Sequence, residues 1–271
     1  MFFYRVIPGL FFKTIATFLI ALTFIQSHES FGQINTEKFR KYDLEKGFLF
    51  NLQTTLTLKS GNTEYTAIKG GGRIDLNGNI MDYFLVGNLE AKTTGKERIQ
   101  NLGFAHLRAM WNFAEKTNWE YFLQRQYDEF IDLKYRNLYG TAIKYRFFES
   151  KSLKDTTNIL DLNISTGVMY EQESYSFEPN NVQKNLWRST NFISFDWSKQ
   201  KRLNLTGVIY YQPAFNNFKD FRVAAETTLE FSIVRKVFFA FQFSYKYNNM
   251  PVTNVKPYDI SLENGLRFVL P

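Results

Sequence analysis

The 271-residue chain has no cysteine and only two histidines, His28 and His106. Without cysteine it cannot hold a disulfide framework, a thiolate zinc site, a cysteine nucleophile or a lipid-modified N-terminal cysteine. Two histidines are too few for a multi-histidine metal centre. We therefore expect neither a cofactor nor a metal site.

Long hydrophobic runs are also scarce. An apolar core of twelve residues, TIATFLIALTFI, follows Lys13, and small residues at Ser30 and Gly32 have the spacing of a signal-peptidase site. A membrane-spanning helix would need about 20 apolar residues. We therefore expect residues 1–32 to be a secretory signal peptide and 33–46 a polar lead-in. Because no other segment could form a spanning helix, membrane insertion would have to use strands.

The charge is positive but dispersed. Lys and Arg number 33 against 26 Asp and Glu, a net charge of +7. No basic cluster or nucleic-acid motif accompanies this excess, so we expect no nucleic-acid partner. We interpret the excess as affinity for an anionic membrane surface.

Aromatic side chains make up 18% of the chain, although 22% of its residues are charged. This combination is typical of an outer-membrane barrel, where apolar lipid-facing residues alternate with polar lumen-facing ones. In segment 221–233 the odd positions are apolar apart from Thr227, whereas Arg222, Glu226 and Glu230 occupy even positions. A strand separates these two sets onto opposite faces, and a helix would mix them.

The same alternation predicts twelve strands in a single domain, 47–271. The predicted fold is all-β, a transmembrane antiparallel up-and-down β-barrel of about 12 strands. A soluble β-sandwich is the alternative fold. The predicted strands are 47–59, 65–76, 83–92, 101–113, 118–128, 135–147, 159–171, 186–198, 202–212, 220–233, 236–247 and 257–270.

The lengths of the connections predict which end of the barrel faces outward. Odd-numbered connections should be outer loops, including long ones at 93–100, 172–185 and 213–219, and even-numbered ones should be short periplasmic turns. The long even connection 148–158 is an exception. Aromatic residues near both strand ends are expected to form two interfacial girdles.

Parity places eleven positive and eleven negative side chains on the inner face, a balance that favours paired charges in a narrow lumen over a ring of one sign. Four phenylalanines with the same inward parity are expected to fill part of this lumen: Phe104, Phe122, Phe192 and Phe238. The predicted lumen charge network consists of Arg73, Glu90, Arg108, Glu120, Arg136, Arg146, Asp161, Arg188, Asp196, Arg222, Glu226, Glu230, Lys246, Glu263 and Arg267. Seven further charged residues share this parity: Lys69, Asp75, Lys92, Asp128, Lys144, Glu171 and Asp259.

The segment LTLKSGNTEYTAIKGGGRIDL (56–76) resembles the opening of the salt-induced outer membrane protein family, also called domain of unknown function 481 (YdiY-like). Later motifs extend the resemblance over about 47–270. It implies an outer-membrane barrel and carries no catalytic motif. The chain departs from such barrels by ending in Pro271 instead of an aromatic residue. The later motifs are Tyr127-Asp128-Glu129-Phe130, Arg136 with Leu138 and Gly140, Tyr145, the set Leu162, Gly167, Tyr170 and Glu171, and Tyr211-Gln212-Pro213.

Three functions are left open by the sequence: a structural or stress-related envelope protein, a small-solute channel of low charge selectivity, and an outer-membrane enzyme. The enzyme is disfavoured because His106 is the only possible imidazole base of the exported chain and no serine is obviously paired with it. The expected location is the outer membrane of a Gram-negative bacterium. The expected partners are outer-membrane lipid and the barrel assembly machinery, and any small-molecule ligand is unknown.

Overall fold

A computed structural model describes residues 47–61, 64–95, 97–151, 159–177, 181–200, 202–234, 237–252 and 256–268. The predicted signal peptide and the lead-in over 33–46 lie outside the described residues. Within the described ranges, no helix is long and apolar enough to cross a membrane.

Twelve strands form one antiparallel sheet in which every strand pairs with the next along the chain. This confirms the predicted all-β, up-and-down fold. The strands are β1 (Gly47–Lys59), β2 (Tyr65–Asn77), β3 (Met81–Thr94), β4 (Glu97–Ala114), β5 (Thr117–Asp128), β6 (Leu133–Lys151), β7 (Ile159–Tyr175), β8 (Val182–Lys199), β9 (Leu203–Ala214), β10 (Asn217–Val234), β11 (Val237–Asn248) and β12 (Tyr258–Phe268).

The sheet has two ends, which we name by the connections they carry. The near end holds the start of β1 and the end of β12, and the far end holds the β1–β2 and β11–β12 connections. The strand ladder comprises eleven consecutive pairings, and β1 and β12 are not paired with each other within the described residues. Most side chains of β1 are exposed on both of its faces.

The alternation of apolar and polar residues in the sequence corresponds to an alternation of exposed and buried side chains in the structure. On β5, Glu120, Gln124 and Asp128 are buried, whereas Tyr121 and Leu123 between them are exposed. A soluble sheet buries its apolar face and exposes its polar one. Here the buried inner face is polar and the outer face is apolar, which is the pattern of a sheet surrounded by lipid.

Three predicted outer loops were wrong, because the strands continue into them. The β3–β4 turn occupies only 95–96, the β9–β10 turn only 215–216, and the β7–β8 connection only 176–181. Most of their flanking residues are polar, so the contrast between an apolar and a polar face is weak there. The backbone ladder nevertheless continues, for example through the pair Thr94 and Glu97.

Glycines within β2 and β7 differ in how closely the neighbouring strands approach them. Gly70-Gly71-Gly72 lies within β2 without a register shift toward β1 or β3, so the inward parity of Arg73 and Asp75 is retained. A Cβ added at Gly167 of β7 would collide with backbone atoms of Thr141 and Ala142 on β6. Backbone atoms in a ladder cannot move aside as a flexible side chain can.

We expect Gly167→Ala to destabilise the protein by about 1–3 kcal/mol, the usual cost of overpacking. Gly265→Ala on β12 is the matched control, because a Cβ there meets nothing within 4 Å. Urea unfolding midpoints of the two refolded variants would check this. Equal midpoints would contradict the tight β6–β7 contact.

Candidate functional site: a buried charge cluster and cavity inside the sheet

The inner face carries a cluster of charged side chains centred on Glu171 of β7. Arg136 Nε and Arg188 Nε each donate to a carboxylate oxygen of Glu171 at 2.5 Å, and Arg222 Nη1 donates to the same carboxylate. Glu173 receives Arg222 Nη2 at 2.7 Å. All five side chains are at most 4% exposed, so these are charge-assisted hydrogen bonds shielded from water.

A third acid completes the charge balance of the cluster. Asp220 Oδ1 accepts a hydrogen bond of 2.8 Å from Arg188 Nη2. Three arginines therefore face three carboxylates. Buried ions are tolerated only when opposite charges and hydrogen bonds compensate their lost hydration, and this cluster supplies both.

The cluster also shows that the sheet is curved. Arg222 belongs to β10 and Glu173 to β7, three strand spacings or about 14 Å apart along a flat sheet. Inner side chains of a flat sheet stand roughly perpendicular to it and would not meet over that span. The 2.7 Å contact therefore requires the sheet to curl around an interior.

Residues 249–252 of the β11–β12 connection lie against the far end of this interior. Val252, in the β11–β12 connection, is buried in a cluster with Leu133 of β6 and Tyr175 of β7. Asn249 Nδ2 from the same connection donates to the Lys219 carbonyl at 2.7 Å. The connection therefore reaches inward from β11 and β12 toward the opposite wall, beside the charge cluster.

A second cluster of polar side chains surrounds His106 on β4. Its Nδ1 lies 3.1 Å from Gln124 Oε1, and Arg108 Nε donates to its Nε2 at 3.3 Å. These partners place the proton on Nδ1, because Nε2 must accept. Arg108 also pairs with Glu120 at 2.9 Å. Both ring nitrogens of the buried histidine are thus engaged in hydrogen bonds.

Between these groups lies a small cavity of about 30 Å³, lined by side chains from β4 through β9. Arg136 borders it on the side of the charge cluster, and His106 belongs to its wall. Phe122 and Phe192, two of the inward phenylalanines predicted to fill the lumen, also line it. The cavity therefore combines paired charges, neutral polar groups and apolar surface.

The structure places most of the predicted network on the inner face. Besides the pairs above, Lys69 lies 2.6 Å from Glu90, Arg73 lies 2.5 Å from Asp75, and Arg146 lies 3.7 Å from Asp161. Glu226 is buried, and Asn204 donates to Glu230 at 3.4 Å. Asp196 and Lys246 also interact with partners.

Two members of the predicted network stand apart. Glu263 on β12 is exposed and accepts a hydrogen bond of 3.3 Å from Ser261 on the same strand. The backbone of Arg267 pairs with Phe238, and its side chain lies outside the described residues.

Sequence reasoning missed Glu173 and Asp220. The strand prediction ended β7 at 171, which left Glu173 in a loop, although it shares the parity of Glu171. Asp220 fell on the first residue of a predicted strand. Continuing the alternation of β7 by two residues would have found Glu173, and the parity of the predicted strand 220–233 would have found Asp220.

The fold and its inner wall define a class: an up-and-down antiparallel β-sheet protein, curled around a polar interior, with an apolar outer face. The chain is matched over residues 53–269 by the family model described as "Protein of unknown function, DUF481". The match covers most of the chain, so the chain belongs to this family, as the sequence motifs predicted. No curated protein matches it significantly.

Proposed function

We propose that the protein is an outer-membrane β-barrel of a Gram-negative bacterium, exported by residues 1–32 and inserted by the barrel assembly machinery. Its role is structural or stress-related, and paired charges occlude its lumen. The observation that carries the proposal is the inversion of polarity, with buried ion pairs inside and exposed apolar side chains outside.

The outer face supports contact with a bilayer. Trp187 and Trp197 both project outward from β8, with exposed fractions of 57% and 39%. Ten residues separate them, which is about 34 Å along a strand. With the tilt of about 40° usual in such barrels, this becomes about 26 Å, close to the apolar band of about 25 Å between aromatic girdles.

Ring contacts near both strand ends support the same arrangement. At the near end the rings of Trp111 and Phe113 are 5.5 Å apart. At the far end Phe221 contacts Tyr211 at 5.7 Å and Tyr247 at 5.8 Å. Amphipathic rings favour the headgroup level of a membrane.

The interior favours an occluded lumen. The Glu171 cluster bridges β6 through β10, and Val252 of the β11–β12 connection packs against β6 and β7 at the same end. Within the described residues, Gln124 and Arg108 engage both nitrogens of His106, an arrangement that does not favour its use as the base of a hydrolase. We therefore propose that the protein is not an enzyme.

A narrow channel of low charge selectivity is the second candidate, and a specific observation favours it. The inner face is less buried away from β4–β10: the Lys69 side chain on β2 is 61% exposed, and most of β1 is exposed. Water and small solutes could pass on that side of the cluster.

Planar-bilayer conductance of the refolded chain without residues 1–32 would distinguish the occluded barrel from the narrow channel. We expect the parent protein to show no discrete current steps and Arg222→Ala, which cuts the contacts of β10 with Glu171 and Glu173, to show them. Arg98→Ala, at an exposed ion pair with Glu129, is the matched control and should stay silent. Steps in the parent that Lys69→Ala alters would instead establish the channel.

A further inference from the structure

Arg125 projects from β5 onto the outer, apolar face of the sheet. It lies between two buried glutamines and is exposed on the same side as Leu123 and Tyr127. Its guanidinium carbon is 5.5 Å from the centre of the Tyr135 ring, and its Nη1 is 3.5 Å from Asn137 Oδ1. Both of these partners are uncharged.

No carboxylate balances the charge of Arg125 in the part of the chain that the structure describes. Lys134, exposed beside Tyr135 at an irregularity of β6, likewise has no carboxylate partner there. Glu129, which follows β5, is already paired with Arg98 at 2.9 Å. Charged side chains that face lipid are costly without a partner, so this part of the outer face requires a negative charge from outside the chain.

The position of Arg125 along its strand brings it near the lipid headgroups. Tyr127, close to the far end of β5, is two residues or about 7 Å along the strand from it. Aromatic rings of this kind favour the headgroup level, and a long arginine side chain can extend to that level while its methylene groups stay in the apolar region. The negative charges available at this depth are those of lipid headgroups.

Amide side chains continue from Arg125 across the neighbouring strands. Asn137 on β6 is the register partner of Arg125, and Gln172 on β7 is the register partner of Asn137. Both lie between buried inward residues, so both face outward with Arg125. Strands are about 4.8 Å apart, so the three side chains span about 10 Å. The two amide groups add neutral N–H donors to the two positive charges.

We propose that this outward patch, formed by Arg125, Lys134, Asn137 and Gln172, binds the phosphate headgroup of an anionic membrane lipid. The inference rests on the proposed membrane location. Guanidinium and phosphate form short, charge-assisted hydrogen bonds, and the exposed apolar surface around Leu123 accommodates the acyl chains. An anionic lipid is preferred over a zwitterionic one, because the ammonium group of the latter would oppose the two cations.

Native mass spectrometry of the refolded full-length protein in detergent, titrated with dioleoyl phosphatidylglycerol or dioleoyl phosphatidylcholine, tests the patch. We expect the parent to bind the first phosphatidylglycerol at least about tenfold more tightly, as a charge-assisted contact would allow. Arg125→Gln/Lys134→Gln should reduce this preference to less than about threefold. Lys199→Gln/Arg202→Gln is the matched control, since it removes two exposed positive charges at the near end, and it should retain the preference.

An unchanged preference in the patch variant would overturn the proposal. An equal loss in both double variants would do so too, because net charge alone would then explain the binding. Displacement of phosphatidylglycerol by inorganic phosphate at matched ionic strength would mean that the patch binds free phosphate instead of a lipid, and would also overturn it. Retention of folding would be checked by the heat-dependent shift on gels.

Insertion into phosphatidylcholine vesicles, measured by protection from protease, tests the membrane location separately. A protein that inserts but shows no lipid preference would overturn only the patch. A folded protein that fails to insert would overturn the proposed membrane location, so the two failures are distinguishable.

Discussion

Replacing Glu171 with glutamine is expected to lower the free energy of unfolding by about 3–5 kcal/mol, the usual cost of removing one partner from a buried ion pair. Glutamine preserves the volume of the side chain and removes only its charge. Arg136, Arg188 and Arg222 would then face an uncharged side chain at the centre of the cluster. Arginine does not release its proton in proteins, so the excess charge could not be neutralised in place.

Equilibrium unfolding in urea, followed by tryptophan fluorescence of the refolded protein, would measure the loss. Glu129→Gln is the matched control, because Glu129 pairs with Arg98 at 2.9 Å and their side chains are 50% and 57% exposed. Exposed pairs contribute about 0–1 kcal/mol. Equal losses in the two variants would show that the Glu171 cluster is hydrated in solution.

The strands could be predicted from sequence because each residue's face follows from its position alone. The period of two separates Arg222, Glu226 and Glu230 from the apolar side chains between them. Predicted and observed strands therefore agree in number and order. The strand ends were less accurate, because the contrast between apolar and polar positions weakens in the extensions, where most residues are polar.

The contacts across the interior could not be predicted in this way. Parity places Arg222 and Glu171 on the same face, but it does not say that β10 curls back to β7. The distance between them depends on the curvature and stagger of the whole sheet. The balance of inward charges predicted pairing without predicting which residues pair.

The cavity wall illustrates the same limit. Ser165 attracts no attention in sequence, since serine is uncharged and common in strands that face water. It lines the cavity only because the curved sheet removes it from solvent. The alternation of apolar and polar residues therefore specifies the strands of the sheet, whereas the curvature of the sheet brings the residues of the candidate site together.

Placing an arginine at Leu123, in the middle of β5, is expected to destabilise the protein by about 2–4 kcal/mol, the cost of a positive side chain at the midplane of a lipid-facing barrel wall. Leu123 is 50% exposed and lies between outward Trp119 and Tyr127 near the ends of the strand. In a soluble protein the same exposed leucine could become arginine with an effect within about 0.5 kcal/mol. The sign and size of this change therefore distinguish lipid from water at the outer face.

The matched control is Ile99→Arg, near the far end of β4. Ile99 is 46% exposed, almost the same as Leu123, but lies where the strand extends toward the rim. The cost of arginine falls to about 0–1 kcal/mol near the interface, so we expect a large loss at Leu123 and a small one at Ile99 when both variants are unfolded from phospholipid vesicles. Small losses at both positions would contradict the lipid-facing wall. A graded loss could arise only from an apolar medium that ends near the rim, because exposure at the two positions is nearly equal.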